Sequence, residues 1–390
     1  MQPSPTIRRP TIAEIDLEAL VHNWRLLRNS IPSHVKIMAV VKADAYHHGA
    51  VPIARALERC GVDYLAVALV EEGMVLREAG ITTPIMLLSG SYGMHPRHLH
   101  QYKLQPVAYD LDTLVNLNAT TDHPIPVHIK IDTGMGRLGF LPREIPLLIQ
   151  MLSSLDKIRI TGLLSHLSRS DDADEQPTLE QMAEFNRVID YFHNAGLDPA
   201  LIHISNSAGA RRFSDPRYNM VRLGLSLYGI EQLAPQTPDA VLKPVMSLKT
   251  AVIQVKNMPP NSTISYGATF TTDKPSRIAT LPIGYADGFN IRNSNRGEVL
   301  IRGQRAPVVG KVCMDLTMVD CTAIPNVAMG DEVVIFGKQG AEELKVADIA
   351  ARTHTIPYEV LTSVSVRVPR VYINEPAEVK PLKCGGEQST

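Results

Sequence analysis

Cysteine is scarce in this chain: four residues, Cys60, Cys313, Cys321 and Cys384, among 390. No C-x-x-C pair occurs, so neither a zinc ribbon nor a disulfide scaffold is written into the sequence. Charge of one sign is missing too. Lys and Arg number 39 against 40 Asp and Glu, a net charge of -1 with pI near 6.9, which offers no field to nucleic acid or to an anionic membrane. No apolar run reaches membrane-spanning length. The proline-broken start, Met1 to Pro10, lacks the apolar core of a secretory signal. Internal repeats, low-complexity tracts and a Walker A run are also absent. A cytosolic protein is expected. At 44% hydrophobic and 20% charged, a chain of this length holds a substantial core and more than one ordinary domain.

What is present begins with helical spacing of Leu17, Leu20, Trp24 and Leu27 behind Asp16, a candidate N-cap. A first apolar strand follows Pro32 and runs to Val41. Further strands are predicted at Tyr64 to Ala68, Ile85 to Leu88, Gln105 to Tyr109, Val127 to Ile131, Ile158 to Leu164, Leu201 to Ser205 and Met220 to Leu223. Helical segments lie between most of them. The best spans Thr178 to Asn194, with Thr178 and Gln181 in capping-box spacing, Leu179, Met182, Phe185, Ile189 and Phe192 as its buried face, and Gly196 as its stop. Eight strands alternating with helices fit a (β/α)8 TIM-like barrel in an α/β chain, over residues 12–240.

The texture changes around Gln232 to Pro244. A mostly β C-terminal domain is expected over 245–373, with strands at Met246 to Val255, Ser276 to Pro282, Gly297 to Ile301, Gln304 to Val312 and Glu332 to Phe336. Val346 to Arg352 is its one helical segment. Thr11 to Ile15 reads as an extra strand that could pair with this domain. Residues 1–11 and 379–390 read as flexible tails.

Chemistry concentrates where the barrel strands end. Lys42 and Tyr46 follow the first strand, Lys130, Asp132 and Arg137 the fifth, and His166 the sixth. Asn206 and Ser207 follow the seventh, with Arg222 and Gly224 at the eighth. In a barrel these addresses converge on one mouth. A lysine at such a position is costly to bury unless its charge is used or its pKa lowered, and Schiff-base chemistry does both. Taken singly, the bland readings are snorkelling for Lys42, a satisfied core histidine for His166, and a helix cap for Asn206 and Ser207.

Gly134, Gly136 and Gly139 let a tight loop bring its backbone to a ligand. They spell G-x-G-x-x-G, but Pro142 places the helix start after the glycines, where a dinucleotide fold would open it among them. Ser207 offers a hydroxyl, and Gly224 and Leu225 offer backbone amides, to a phosphate at the last two barrel loops. An amine facing a phosphate cradle is the arrangement of a pyridoxal phosphate site.

The run Ala39 to Tyr46 resembles the cofactor-lysine signature of the alanine racemases, fold-type III pyridoxal phosphate enzymes. Similar blocks are His128 to Gly139, Gly162 to His166, Asn206-Ser207, Val221 to Gly229, Ser265 to Ala268, Gly284 to Gly288, Val312 to Asp315 and Tyr358-Glu359-Val360. One position departs: the signature continues Tyr-Gly-His-Gly, and here reads Tyr46-His47-His48-Gly49. Arg169, in the loop after His166, is a second feature to place.

The resemblance implies interconversion of L-alanine and D-alanine by two bases, supplying D-alanine for peptidoglycan. It implies pyridoxal 5'-phosphate on Lys42 and a homodimer with shared active sites. Lys42 and Tyr266 are the implied catalytic pair, Tyr266 coming from the partner subunit. Arg222 is implied to face the pyridine nitrogen, backed by His166. Tyr46, Ser207, Tyr358, Gly224 and Leu225 hold phosphate, with Asn206 among the cofactor residues. Arg137 and Met314 meet substrate, Lys130 matches the lysine that can be carbamylated to orient Arg137, and Tyr285, Cys313 and Asp315 line the site or its entrance. No metal is implied. Rival readings are an amino-acid decarboxylase of the same fold, a cofactor-binding homeostasis protein, and a zinc hydrolase built on His47, His48, Asp132 and His166.

Overall fold

The structure, a computed structural model, describes residues 9–231 and 241–375. The predicted tail from Val379 lies outside them. The described residues fold as two compact units, one within Leu20–Ala45 and Ala50–Leu242, the other within Met1–Ala19, Tyr46–Gly49 and Lys243–Glu375.

Strand β1 (Ile12–Asp16) comes first in the chain and belongs to the second unit. Helix α1 (Leu17–Ser30) follows directly, and Asp16 caps it as expected, its Oδ1 accepting the Ala19 amide at 2.9 Å. The first unit is then a (β/α)8 barrel. Its strands are β2 (Lys36–Val40), β3 (Tyr64–Val67), β4 (Ile85–Leu87), β5 (Leu104–Ala108), β6 (Ile125–Lys130), β7 (Ile158–Leu164), β8 (Leu201–His203) and β9 (Met220–Leu223). All pair in parallel in the order β8-β7-β6-β5-β4-β3-β2-β9.

Closure between β8 and β9 comes from the Asn219 amide to Ile202 O and the Arg222 amide to Ser205 O, each 3.0 Å. The Asn219 side chain adds to it, accepting from the Ile202 amide at 2.8 Å. Runs such as Ile37-Met38-Ala39 are fully buried, because a parallel sheet sheathed by helices has no wet face.

Helices α2 (Lys42–His47), α3 (Ala50–Arg59), α4 (Val70–Glu78), α5 (Pro96–Gln101), α6 (Leu111–Thr120), α7 (Ile145–Leu152), α8 (Gln176–Asn194) and α9 (Ser207–Arg212) complete the alternation. A 3-10 turn at Pro142–Glu144 leads into α7, so the helix does open after the glycines. Helix α8 corrects two expectations. It starts two residues early, and no capping box forms: Thr178 Oγ1 is buried without a partner. Gln181 reaches instead to the loop after β7, accepting from Ser168 and donating to His166 O at 3.1 Å. Leu179 is exposed, whereas Met182, Phe185, Ile189 and Phe192 are buried as predicted.

The second unit is mostly β. Its larger sheet runs β16 (Gln304–Pro307), β15 (Glu298–Ile301), β18 (Glu332–Gln339), β10 (Met246–Ala251), β1 and β20 (Arg370–Ile373), with β19 (Glu342–Leu344) paired to β18. A second sheet holds β11 (Gln254–Met258), β14 (Ser276–Leu281) and β17 (Thr317–Asp320), and β12 (Thr263–Ile264) with β13 (Phe270–Thr271) make a short hairpin. The Thr11 to Ile15 expectation holds: β1 lies antiparallel to β10 and parallel to β20.

The segment read as one strand, Met246 to Val255, is two strands in different sheets, parted at Val252 and Ile253. The predicted strand to Val312 stops at Pro307. Besides α10 (Val346–Arg352), a second helix, α11 (Pro357–Thr362), went unpredicted although Pro357 sits at its favoured first turn.

Candidate active site

Lys42 opens α2, and α2 is left-handed. Residues Ala43 to His47 have φ between 51° and 63°, all five carrying a Cβ. Each such residue costs about 1–2 kcal/mol, so local sequence cannot hold this turn and contacts must. Ala43 N–H donates to Glu72 Oε1 at 2.6 Å, Ala45 N–H to Val41 O at 2.9 Å, and Ala50 N–H to Asp44 Oδ1 at 2.6 Å.

The far end of the turn is held in the second unit. His47 Nδ1–H donates to Val364 O at 2.8 Å, and Arg370 Nε donates to His47 O at 3.0 Å. The Tyr46 ring lies 5.9 Å from that of Tyr358 on α11, and burial lifts the Tyr46 pKa well above the ordinary phenol. The histidine in place of glycine therefore adopts the glycine-like conformation and adds a bond of its own.

At the barrel mouth, burial and the nearby Arg137 guanidinium lower the Lys42 pKa, with Glu72 opposing. Lys130, 6% exposed, is pushed down to about 7 by burial, Arg222, Arg137 and Lys42 against Asp132. Asp132 does little to balance this charge outwardly. Its Oδ1 accepts the amides of Gly134, Met135 and Gly136, and its Oδ2 that of Arg137, all at 2.9–3.0 Å. The glycine loop thus folds onto its own carboxylate rather than presenting those amides to a ligand, which corrects the expectation. Gly139 is needed for the fold: a Cβ there would sit 2.5 Å from Asp132 N.

Arg222 is buried on β9 and fixed at both Nη atoms. Nη1 donates to His203 Nδ1 at 2.8 Å and His203 O at 3.2 Å; Nη2 to Ser165 O at 2.7 Å, Ile204 O at 2.8 Å and His166 Nδ1 at 3.0 Å. Guanidinium only donates, so both imidazoles accept at Nδ1 and carry their proton on Nε2. His203 Nε2 then points to His128 Nδ1 at 3.4 Å, and His128 Nε2 to Gln105 Oε1 at 3.1 Å. Burial first, and Arg222 next, hold all three histidines neutral, His128 at about 4 and both His166 and His203 well below the ordinary imidazole range.

Sequence reasoning missed His203 and His128. Their signal was a polar residue inside an apolar strand, with Gly162 opposite: a Cβ on Gly162 would meet His128 Nδ1 at 2.2 Å.

Across the mouth, Asn206 is a helix cap, accepting from Gly209 N–H at 2.9 Å and from Ser170 Oγ at 2.8 Å. Ser207 is buried at the start of α9, and its Oγ accepts the Gly224 amide at 3.0 Å. Leu225 opens the next 3-10 turn. Arg169 pairs with Asp172 at the exposed start of the following loop.

The second unit holds the remaining predicted residues in two groups. Tyr46 and Tyr358 form one. Tyr266, Tyr285, Cys313, Met314 and Asp315 form the other, on neighbouring loops: Tyr285 N–H donates to Cys313 O at 3.0 Å, and Ser265 Oγ lies 3.5 Å from Cys313 Sγ. Tyr266 is 73% exposed and Met314 52%.

A cationic mouth backed by neutral imidazoles, on a barrel followed by a β unit, narrows the comparison. The pattern described as "Alanine racemase, N-terminal domain" matches residues 15–232, and "Alanine racemase, C-terminal domain" matches 245–372. The chain belongs to the alanine racemase family. An alanine racemase of Halothermothrix orenii is 44% identical over 372 residues, covering 95% of this chain and 98% of that one.

Among solved structures, alanine racemase of Clostridium difficile 630 superposes with TM-score 0.89 at 38% identity, covering 96% and 98% of the two chains. One from Bartonella henselae, described as carrying covalently bound pyridoxal phosphate, gives TM-score 0.84 at 32% identity and 93% and 99% coverage. This protein is accordingly an amino-acid racemase that interconverts L-alanine and D-alanine, in a family of fold-type III pyridoxal phosphate enzymes. Among the described residues no helix is long and apolar enough to cross a membrane.

Proposed function

We propose that the racemase works with Lys42 and the partner subunit's Tyr266 on opposite faces of the substrate Cα, in a homodimer whose barrels and β domains complete each other's sites. The observation that carries this is the unbalanced positive charge at the barrel mouth. Burial and neighbouring cations, Arg137 among them, lower the pKa values of Lys42, Lys130 and Arg222, while the nearby carboxylates Asp132 and Glu72 are engaged by backbone amides. Such a site fits pyridoxal 5'-phosphate and an amino-acid carboxylate, which are anions.

Tyr46, Ser207, Tyr358, Gly224 and Leu225 would hold the phosphate, with Asn206 securing the turn at Ser207. Arg222 would face the pyridine nitrogen, since its Nε–H takes no protein acceptor among the described residues. Bound pyridoxal phosphate supplies an electron-withdrawing ring that brings the alanine Cα–H within reach of side-chain bases.

Lys42 is suited to remove a proton because burial and Arg137 shift its amine toward the neutral form. It would take the proton from D-alanine, and Tyr266 the proton from L-alanine; in each direction the residue on the opposite face supplies the returning proton. Arg137 would bind the carboxylate, steadied by a carbamate on Lys130, whose neutral amine near pH 7 is the form that captures carbon dioxide. Met314, Tyr285, Cys313 and Asp315 of the partner would line the substrate's side, leaving room for a methyl group. The product D-alanine would serve peptidoglycan.

Deuterium exchange tests the two-base assignment. With cofactor in deuterated water, wild-type enzyme converts either isomer and labels Cα. Tyr266→Phe should keep Cα exchange on D-alanine while losing it on L-alanine. Equal loss on both isomers would contradict separate faces.

A further inference from the structure

Arg9 lies far from every residue assigned above in sequence, yet its side chain is one of the most heavily bonded in the second unit. Its Nη1 and Nη2 fork onto Asp287 Oδ1 and Oδ2 at 2.7 and 2.6 Å. Nη2 and Nε also donate to Pro282 O, at 2.6 and 3.2 Å. Thr11 Oγ1 reaches the same carbonyl at 2.7 Å and lies 2.9 Å from Thr250 Oγ1. Asp287 is fully buried, and its Oδ2 also accepts the Gly284 amide at 3.0 Å. A carboxylate so placed depends on its cation, because an unpaired buried charge is among the costliest defects a fold can carry. The other cation near it, Arg367, is 3.6 Å away and is drawn to Asp315 at 2.6 Å.

The bracket formed by Pro282 and Asp287 encloses Tyr285. It also grips the neighbouring loop through backbone: Tyr285 N–H donates to Cys313 O at 3.0 Å and Ala286 N–H to Met314 O at 3.1 Å. The fit is close, since a Cβ on Gly284 would lie 2.3 Å from both Cys313 O and Met314 O. A chain of bonds thus runs from the N-terminal arm through Asp287 to Tyr285 and Met314.

We propose that Arg9 is a positioning residue, a latch by which the N-terminal arm fixes the wall that Tyr285 and Met314 present to substrate. The inference rests on the proposed role of that wall. Arg9 touches no reacting atom. It acts by holding two loops in one arrangement, so its loss should weaken substrate capture more than the proton transfers themselves.

The test uses the cofactor-loaded enzyme and three variants, Arg9→Ala, Arg9→Lys and Thr11→Val. Hydrogen exchange over 282–288 and 312–316 reads the latch directly, and kinetics on L-alanine reads its consequence. Arg9→Ala should speed exchange in both segments and raise KM by about tenfold with kcat changed by about twofold or less, leaving bound-cofactor absorbance intact. Arg9→Lys should recover part of both effects, because an ammonium reaches one carboxylate oxygen but cannot fork. Thr11→Val removes one bond to Pro282 and should show the same pattern more weakly, which serves if Arg9→Ala does not fold. Unchanged exchange in the two segments would overturn the latch. Faster exchange with unchanged KM and kcat would overturn the positioning role and show that Tyr285 and Met314 do not face the substrate.

Discussion

Lys130 illustrates how single residues carry the account. Its ammonium is buried beside Arg222 and Arg137, so the folded protein holds its pKa at about 7, against an unfolded value of 10.5. Between those two values the unfolded chain binds the extra proton, and stability rises with pH; below about 7 the penalty is fully present. Lys130→Met should therefore raise the melting temperature of the cofactor-free protein at pH 6 and flatten its rise between pH 7 and 10. The same variant should raise KM for alanine. A melting profile identical to wild type would show that Lys130 is not under the strain assigned to it.

The buried imidazoles act at the acid end with the same sign. Neutral in the fold, they withhold protons that the unfolded chain accepts below about 6.5, so stability falls as pH drops toward 4. Lys42, Lys130 and Arg222 were legible because charged residues at strand ends are conspicuous. His203, His128 and the Gly162 that makes room for one of them were not. Their meaning depends on which neighbours a closed barrel brings opposite, which one strand's pattern does not contain.

Among elements, α2 was the least readable. Ala-Asp-Ala-Tyr-His has no glycine to announce a left-handed turn, and helix propensities refer to right-handed geometry. Bonds to Glu72, Ala50, Val364 and Arg370 decide it. His47 separates two terms that usually travel together. Glycine would relieve strain but lose the bond to Val364 O; alanine would keep the strain and lose the bond; asparagine tolerates left-handed φ and carries a donor.

Measured by chemical unfolding, His47→Gly and His47→Asn should stay within about 0.5 kcal/mol of wild type while His47→Ala loses about 1–2 kcal/mol. Cofactor release should follow the same order, because Tyr46 adjoins His47. Alanine matching glycine would mean that the left-handed conformation at this position costs nothing. Helix α8 teaches the converse lesson. Thr178 and Gln181 had the right spacing for a cap, but Gln181 found better partners in the loop after β7. The barrel strands, in contrast, were readable nearly to the residue, since apolar runs of that length have few other uses.

At the scale of the whole molecule, alternation of strand and helix announced the barrel, and the loss of helical period announced the β unit. Sheet membership in that unit was not legible: Met246 to Val255 reads as continuous, and only the pairings of β10 and β11 separate it. The large exposure of Tyr266 and Met314 supports the proposal that a second copy covers them. Apolar and aromatic groups left this open on a single chain are the raw material of an interface.

Subunit complementation tests the shared site most directly. Lys42→Ala and Tyr266→Phe enzymes, each unable to racemise L-alanine, are mixed and allowed to exchange subunits with cofactor present. Random pairing makes half the dimers mixed, each with one intact site, so activity should return to about a quarter of wild type. No recovery, with mixed dimers demonstrated by native mass spectrometry, would contradict a site built from the Lys42 of one chain and the Tyr266 of the other.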